Sequence, residues 1–157
     1  MLVRALDLSR RLVGFAPSWL GNRASVTGER DTVELRPDPA ELSRMRQFIW
    51  RRSLEHGLDE TEAFQAQLVA TEAVTNALRH GTPMGGKPIA VTCVWRRDGL
   101  TIEVGDRGRF QRREPSQVDP NAQSGRGLGL IERLTRRFEL ETSDRGTTLR
   151  MLVGGAV

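Results

Sequence analysis

The feature that most constrains this chain is a helical segment, residues 68–81, in which an apolar stripe runs beside a carboxylate and an amide. Glu72 and Asn76 are four residues apart, so on a helix they project from one face, one turn apart. A carboxylate accepts a proton and an amide oxygen ligates a hard cation, as phosphoryl transfer from a magnesium nucleotide requires. The alternative is a partly exposed helix face with two solvated polar groups. The predicted apolar stripe consists of Ala70, Val74, Ala77 and Leu78.

The chain is basic, and its charged residues are distributed evenly along the sequence. Lys and Arg number 24 against 20 Asp and Glu, which gives a net charge of +4 and a pI of about 10.7. The basic residues are interleaved with acids, and the sequence contains no helix-turn-helix, RNA-binding aromatic motif or zinc finger. We therefore expect no direct nucleic-acid partner, and a basic surface that faces solvent, phosphates or an acidic protein.

Cysteine usage and hydropathy predict a cytoplasmic location. The single Cys93 excludes a disulfide framework, and with only two histidines the chain has no recognisable zinc cluster. No apolar run approaches the ~20 residues that cross a bilayer, and no export signal is found. We therefore expect no membrane association.

The chain is 157 residues long, which is enough for one domain with a buried core. Residues 1–30 are weakly patterned and are predicted to be an N-terminal arm, either docked on a partner or on this domain, or frayed.

The ordered domain is predicted at residues 31–157, with a first strand at residues 32–35. The later elements predicted from periodicity and turn signals are a helix at 40–56, a helix capped by Asp59 and Glu62 that ends at Gly81, strands at 89–95 and 100–104 joined by Asp98-Gly99, a helix at 131–134, and strands at 138–142 and 147–153.

The glycine run from Gly125 to Leu130 precedes the last predicted helix. It is not a dinucleotide fingerprint, because position 130 is Leu130 and no strand comes directly before it. Backbone amides without side chains at a helix N-terminus form a site for the phosphates of a nucleotide. A flexible hinge is the competing interpretation.

Asp106 ends a predicted strand, and Gly108 follows it. A carboxylate there can accept a hydrogen bond from an exocyclic amine while the glycine lets a flat base approach, although Asp is also an ordinary turn residue. The loop of residues 105–125 is the longest in the chain, which suits a binding loop or a solvated basic loop. Its arginines are Arg107, Arg109, Arg112 and Arg113.

Four motifs follow one another in the chain: Glu72 to Ala77, Asp106-x-Gly108, Ser124 to Ile131, and Gly146 to Leu149. In this order and spacing they resemble the ATP-binding fold shared by gyrase, Hsp90, histidine kinases and MutL. They look most like the anti-sigma factor serine/threonine kinases of the RsbW and SpoIIAB type, over residues 32–153. The resemblance implies an α+β, two-layer α/β sandwich of the Bergerat type, with a mixed, mostly antiparallel sheet and helices on one face.

The resemblance also assigns roles to individual residues. Glu72 would be the general base, Asn76 would ligate Mg²⁺, and Asp106 with Thr147 would hold the adenine amine of ATP. Arg126, or an arginine of the long loop, would counter charge on the γ-phosphoryl group. The sequence departs from the wider pattern at Arg109, where a second glycine is usual. The residues expected to line the nucleotide are Asn76, Asp106, Gly108, Gly125, Gly127, Leu128, Gly129 and Thr147.

The task implied by the resemblance is partner switching. The chain would sequester a sigma factor and phosphorylate a serine of a STAS-type anti-anti-sigma protein, and it would form a homodimer through the first strand and helix. Two alternatives stay open at this point. One is an ATP-binding module with little kinase activity, and the other is a detached catalytic domain of a histidine kinase.

Overall fold

The computed structural model describes residues 28–81, 86–106 and 126–154 of the chain. Within them, five strands and three α-helices form an α+β arrangement. A single π-helical turn, Ala77–Gly81, continues the second helix. The elements are β1 (Glu29–Leu35), α1 (Glu41–Glu55), α2 (Glu60–Asn76), β2 (Ile89–Arg96), β3 (Gly99–Asp106), α3 (Arg126–Leu134), β4 (Arg137–Ser143) and β5 (Gly146–Val153).

The five strands form one sheet in the order β1-β2-β3-β5-β4. Every described pair is antiparallel, so the expected mixed sheet contains no parallel pair in this part of the chain. One face of the sheet and the helices share a single apolar core, which includes Ile102 and Met151 from the strands and Met45 and Val69 from the helices. The predicted two-layer architecture is confirmed.

The start of α2 follows directly from local sequence. The side chain of Asp59 accepts a hydrogen bond from the Glu62 amide at 2.8 Å, and the Glu62 carboxylate accepts one from the Asp59 amide at 3.1 Å. This reciprocal pair satisfies two amides that a helix N-terminus leaves without partners. The capping box predicted from the sequence is confirmed.

The core face of α1 also agrees with its periodicity. Met45 and Ile49 are fully buried, while Leu42 and Phe48 are partly buried against the same core. These four positions recur at the three- and four-residue spacing of one helix face.

A tight turn joins β2 to β3, as Asp98-Gly99 predicts. Gly99 has a φ of +131°, and a Cβ at this position would lie 2.7 Å from the carbonyl oxygen of Val153. Both conditions exclude a side chain, so glycine is required where the hairpin meets the end of β5.

Two boundaries differ from those predicted. β1 begins at Glu29, not at Thr32, because residues 29–31 pair with Trp95, Val94 and Cys93 of β2. α3 begins at Arg126, so the glycine run lies largely inside the helix, whereas regular helix was predicted only from Ile131. Glycine is a poor helix former, and local propensity therefore gave no reason to extend the helix back to Arg126.

Edge strand β1 is fastened to α1 by Arg52. Its guanidinium donates to the Asp31 carboxylate at 2.7 and 2.9 Å and to Glu29 at 2.9 Å. The indole of Trp95 also donates to Asp31, at 3.1 Å, and the ring of His56 stacks on Trp95 with centroids 4.3 Å apart. Burial alone would raise the pKa of the Asp31 carboxyl. The hydrogen bonds from Arg52 and Trp95 outweigh this effect, so the pKa is lowered.

None of the helices described is both long enough and apolar enough to cross a membrane.

Candidate functional site

Glu72 and Asn76 lie on α2, at the boundary between the core and its polar surroundings. Ala70, Ala73 and Val74 are buried in the core, while Glu72 and Asn76 are half-buried. The predicted apolar stripe is confirmed, since Ala77 is also buried and Leu78 packs partly against the core. The helix therefore holds a carboxylate and an amide at fixed positions without sealing either from a ligand.

The helix changes geometry directly after Asn76. Residues Ala77–Gly81 form a π-helical turn, which packs against β3. Such turns are rare and occur often at functional sites, because they shift the direction of neighbouring side chains and free backbone groups. Nothing in the hydrophobic periodicity distinguishes this turn from ordinary α-helix, so the sequence did not reveal it.

The first turn of α3 lies against this pair of polar side chains. A Cβ built on Gly127 would be 2.6 Å from Oε2 of Glu72 and 3.7 Å from Nδ2 of Asn76. A side chain at position 127 would have to displace the Glu72 carboxylate, so glycine lets the α3 backbone lie this close to it. The structure thus joins two motifs that are far apart in the sequence.

The N-terminal turn of α3 is suited to bind an anion. The first amides of a helix have no intrahelical partner and carry partial positive charge, so they can donate to phosphate oxygens. Gly129 has open space where a Cβ would be, while Ile131 is fully buried and Leu128 packs partly against the core. The apolar residues fix the helix, and Gly129 leaves open space beside its first turn.

Asp106 and Thr147 form the second half of the site. They are directly paired residues of β3 and β5, and both side chains are buried, at 8% and 7% exposure. The Thr147 hydroxyl has no hydrogen-bond partner in the structure. Because a buried hydroxyl without a partner is costly, a ligand that bonds to it would recover that free energy. The pair thus presents a carboxylate and a hydroxyl side by side at the sheet.

The site therefore consists of two groups between the helices and the sheet. Glu72, Asn76 and Gly127 are in one group, Asp106 and Thr147 are in the other, and α2 packs against both β3 and β5. Gly108 and Gly125 lie outside the described residues, as does the side chain of Arg126. The arginines of the long loop, Arg107, Arg109, Arg112 and Arg113, lie outside them as well.

Comparisons with known proteins identify a family and a similar fold. A family model described as "Histidine kinase-like ATPase domain" matches residues 35–153. Among solved structures, the chain is similar to one titled "The crystal structure of the RsbU and RsbW domains of Rv1364c from Mycobacterium tuberculosis". The TM-score is 0.63 and the identity 21%, over 80% of this chain but only 32% of that one. A search of curated proteins gives no match.

Proposed function

Because the chain belongs to the histidine kinase-like ATPase domain family, we propose that it is an ATP-dependent protein serine kinase that acts as an anti-sigma factor. The observation that carries the proposal is the contact between the α3 backbone at Gly127 and the Glu72 carboxylate. It brings a proton acceptor next to amides that can hold a triphosphate. Packing of α2 against α3 does not by itself require a carboxylate beside the N-terminal amides of α3.

ATP is held at both ends in this proposal. Asp106 accepts a hydrogen bond from the adenine amine, and the Thr147 hydroxyl bonds to the base or to a water beside it. The amides of the first turn of α3, at Gly127, Leu128 and Gly129, bind the phosphates. Gly108 and Gly125 flank the two ends of the long loop and complete the nucleotide contacts.

The transfer step follows from the residues around the phosphates. Glu72 accepts the proton of a substrate serine, the serine oxygen bonds to the γ-phosphorus, and the bond from that phosphorus to the bridging oxygen breaks to release ADP. Asn76 would hold Mg²⁺, which supplies charge neutralisation for the triphosphate. Arg126 places positive charge beside the γ-phosphoryl group.

The proposed partners are proteins. A sigma factor is bound by the kinase, and a STAS-type anti-anti-sigma protein carries the serine, so that phosphorylation releases the kinase to hold its sigma factor again. We assign this task to a cytoplasmic homodimer of the domain that begins with β1 at Glu29, with the residues before β1 as an arm. The fold similarity to a structure that contains an RsbW domain supports the proposal.

A phosphotransfer assay with labelled ATP tests the proposal. Purified chain is incubated with a candidate STAS-type protein from the same genome, and the bond formed is identified by its stability in acid. Acid-stable phosphoserine supports a serine kinase. Acid-labile phosphate would instead indicate a histidine kinase, and ATP binding without transfer would indicate a partner-binding module, so either result contradicts the serine kinase.

A further inference from the structure

Helix α2 has its two largest apolar side chains on the side turned away from the core. Phe64 is 54% exposed and Leu68 is half-buried, and neither belongs to the apolar core of the described residues. A helix on the surface of a domain usually carries polar residues opposite its core side. Packing of α2 on the sheet therefore does not explain these two side chains. The residues that α2 buries are only alanines and valines: Ala63, Ala66, Val69, Ala70, Ala73 and Val74.

Phe64 and Leu68 belong to one row of residues that ends at the proposed general base. Residues four apart form a ridge along the surface of a helix, and steps of four from Glu60 pass through Phe64 and Leu68 to Glu72. We call these four residues the α2 ridge. Because a helix rises about 1.5 Å per residue, Leu68 and Phe64 lie about 6 and 12 Å from Glu72 along the axis.

The α2 ridge has a neighbouring helix on each side. On one side, the Gln67 side chain donates to the carbonyl oxygen of Arg46 in α1 at 2.8 Å. On the other side, Gly127 of α3 approaches Glu72 and Asn76. Gln67 and Asn76 project from opposite flanks of α2, and the ridge runs between them. The ridge is therefore the outward surface of the middle helix.

The charge of α2 favours a basic partner. Residues 59–78 contain four acids and no Lys or Arg, although the whole chain has 24 basic residues against 20 acids. Glu60, at the opposite end of the ridge from Glu72, is exposed. An exposed carboxylate attracts a Lys or Arg of a partner over about 8 Å at physiological ionic strength. The ridge thus has an acidic end, an apolar middle and the proposed base.

The apolar part of the ridge is too small for a permanent dimer interface. A stable interface buries about 800 Å² on each partner, whereas an aromatic side chain buries about 150–250 Å². Even fully covered, one aromatic ring and one leucine would supply roughly half of that area or less. This size suits a short segment that binds and leaves at each turnover.

The order of groups along the ridge matches a segment that carries the phosphoacceptor serine. In the proposed function the serine hydroxyl lies against Glu72, so the residues beside that serine face the rest of the ridge. Side chains on one side of an extended strand are about 6.6 Å apart, and four-residue steps on a helix are about 6 Å apart. Either conformation places two apolar side chains of the segment on Leu68 and Phe64.

We propose that the α2 ridge docks the phosphoacceptor protein through a segment that carries a serine, two apolar side chains and a Lys or Arg, in that order in space. The serine lies at Glu72, the apolar side chains contact Leu68 and Phe64, and the basic side chain lies near Glu60. This inference rests on the proposed serine kinase function and adds to it the residues that select the substrate.

Steady-state phosphotransfer to the STAS-type protein measures the contribution of the ridge. The double variant Phe64→Ser/Leu68→Ser should raise KM for that protein about tenfold or more, with a smaller effect on kcat and with the ATP affinity of the parent chain. Glu60→Lys should raise KM about threefold in low salt and less in high salt. The matched control is Leu54→Ser, because Leu54 is 39% exposed but lies on α1, off the ridge. Its KM should equal that of the parent chain.

Photo-crosslinking gives a readout that does not depend on phosphate transfer. Phe64→benzoylphenylalanine replaces one aromatic ring with another at an exposed position, and Arg137→benzoylphenylalanine, exposed on the edge strand β4, is the control. Each variant is irradiated with the STAS-type protein, ADP and Mg²⁺, and crosslinked peptides are identified by mass spectrometry. We expect crosslinks from position 64 to the peptide that carries the acceptor serine, and none from position 137.

The two assays separate failure of the docking surface from failure of the kinase function. If the parent chain transfers phosphate, then equal KM values for the double variant and the parent, or crosslinks from position 64 only to other peptides, would overturn the docking surface alone. Crosslinks from position 64 to a single peptide of a protein that is never phosphorylated would contradict the kinase function and support the ridge as a binding surface. Neither transfer nor crosslinks would overturn both.

Discussion

Gly127 of α3 lies so close to the Glu72 carboxylate of α2 that a methyl group at position 127 would be 2.6 Å from Oε2. This contact joins the glycine run to the proposed general base. In the proposed complex the triphosphate lies beside this contact, because the first amides of α3 and the Glu72 carboxylate flank the same space.

Gly127→Ala is therefore expected to weaken ATP binding about tenfold or more, equivalent to about 1.4 kcal/mol or more. The added methyl group forces Glu72 or α3 to move, although alanine keeps the backbone amide. Titration with a fluorescent ATP analogue measures the effect. Gly129→Ala is the matched comparison, since the same substitution there meets nothing within 4 Å, and it should lose clearly less affinity. Equal losses in the two variants would contradict the assigned contact.

Glu72→Gln and Asn76→Ala are expected to impair different steps, phosphate transfer in the first variant and Mg²⁺-dependent ATP binding in the second. Removing the proton acceptor should abolish phosphate transfer while leaving most ATP affinity, because glutamine keeps the shape of the side chain. Removing the Asn76 amide should weaken ATP binding in Mg²⁺ but leave binding in EDTA nearly unchanged. If the Glu72→Gln variant transferred phosphate at the normal rate, the general base would be a different residue.

Thr147→Val and Thr101→Val form a matched pair in the sheet. Both hydroxyls are buried without partners, so both substitutions should raise the free energy of unfolding of the nucleotide-free chain by about 1 kcal/mol. Only Thr147 faces the proposed adenine site, so only Thr147→Val should weaken ATP binding, roughly three- to tenfold. Urea unfolding and ATP titration measure the two effects. A similar loss of affinity in Thr101→Val would argue against the adenine assignment.

The stability of the Asp31→Asn variant at two pH values tests the contribution of the ion pair between β1 and α1. The pKa of Asp31 is lowered in the folded chain, so its charge stabilises the fold above the unfolded value of about 4, and that stabilisation is lost as the pH falls below it. The variant should be less stable than the parent chain at pH 7 by roughly 1–2 kcal/mol. At pH 3 the variant and the parent chain should differ less in their free energy of unfolding. Urea unfolding at the two pH values measures this. Asp144→Asn in the exposed turn before β5 is the control and should change stability little at either pH.

Local features of this fold could be predicted because their causes are local. The capping box of Asp59 and Glu62 and the turn at Asp98-Gly99 each depend on a few adjacent residues. The candidate site could be predicted as a set of residues only through its resemblance to a family. Periodicity does not indicate which distant segments meet.

The remaining features arise from tertiary contacts. The approach of Gly127 to Glu72 depends on how α3 packs on α2, and the pairing of Asp106 with Thr147 depends on β5 joining β3. The helical start at Arg126 runs against glycine's low helix propensity and is decided by packing around Ile131.

In the proposed function, a nucleotide binds between α2, the start of α3 and the Asp106–Thr147 pair. Calorimetric titration of the purified full-length chain with ATP in Mg²⁺ buffer tests it most directly, at two temperatures because a binding enthalpy can vanish at one. We predict saturable binding at one site per chain, weakened by Gly127→Ala and by Thr147→Val. Folded protein that shows no binding heat at either temperature would contradict the account.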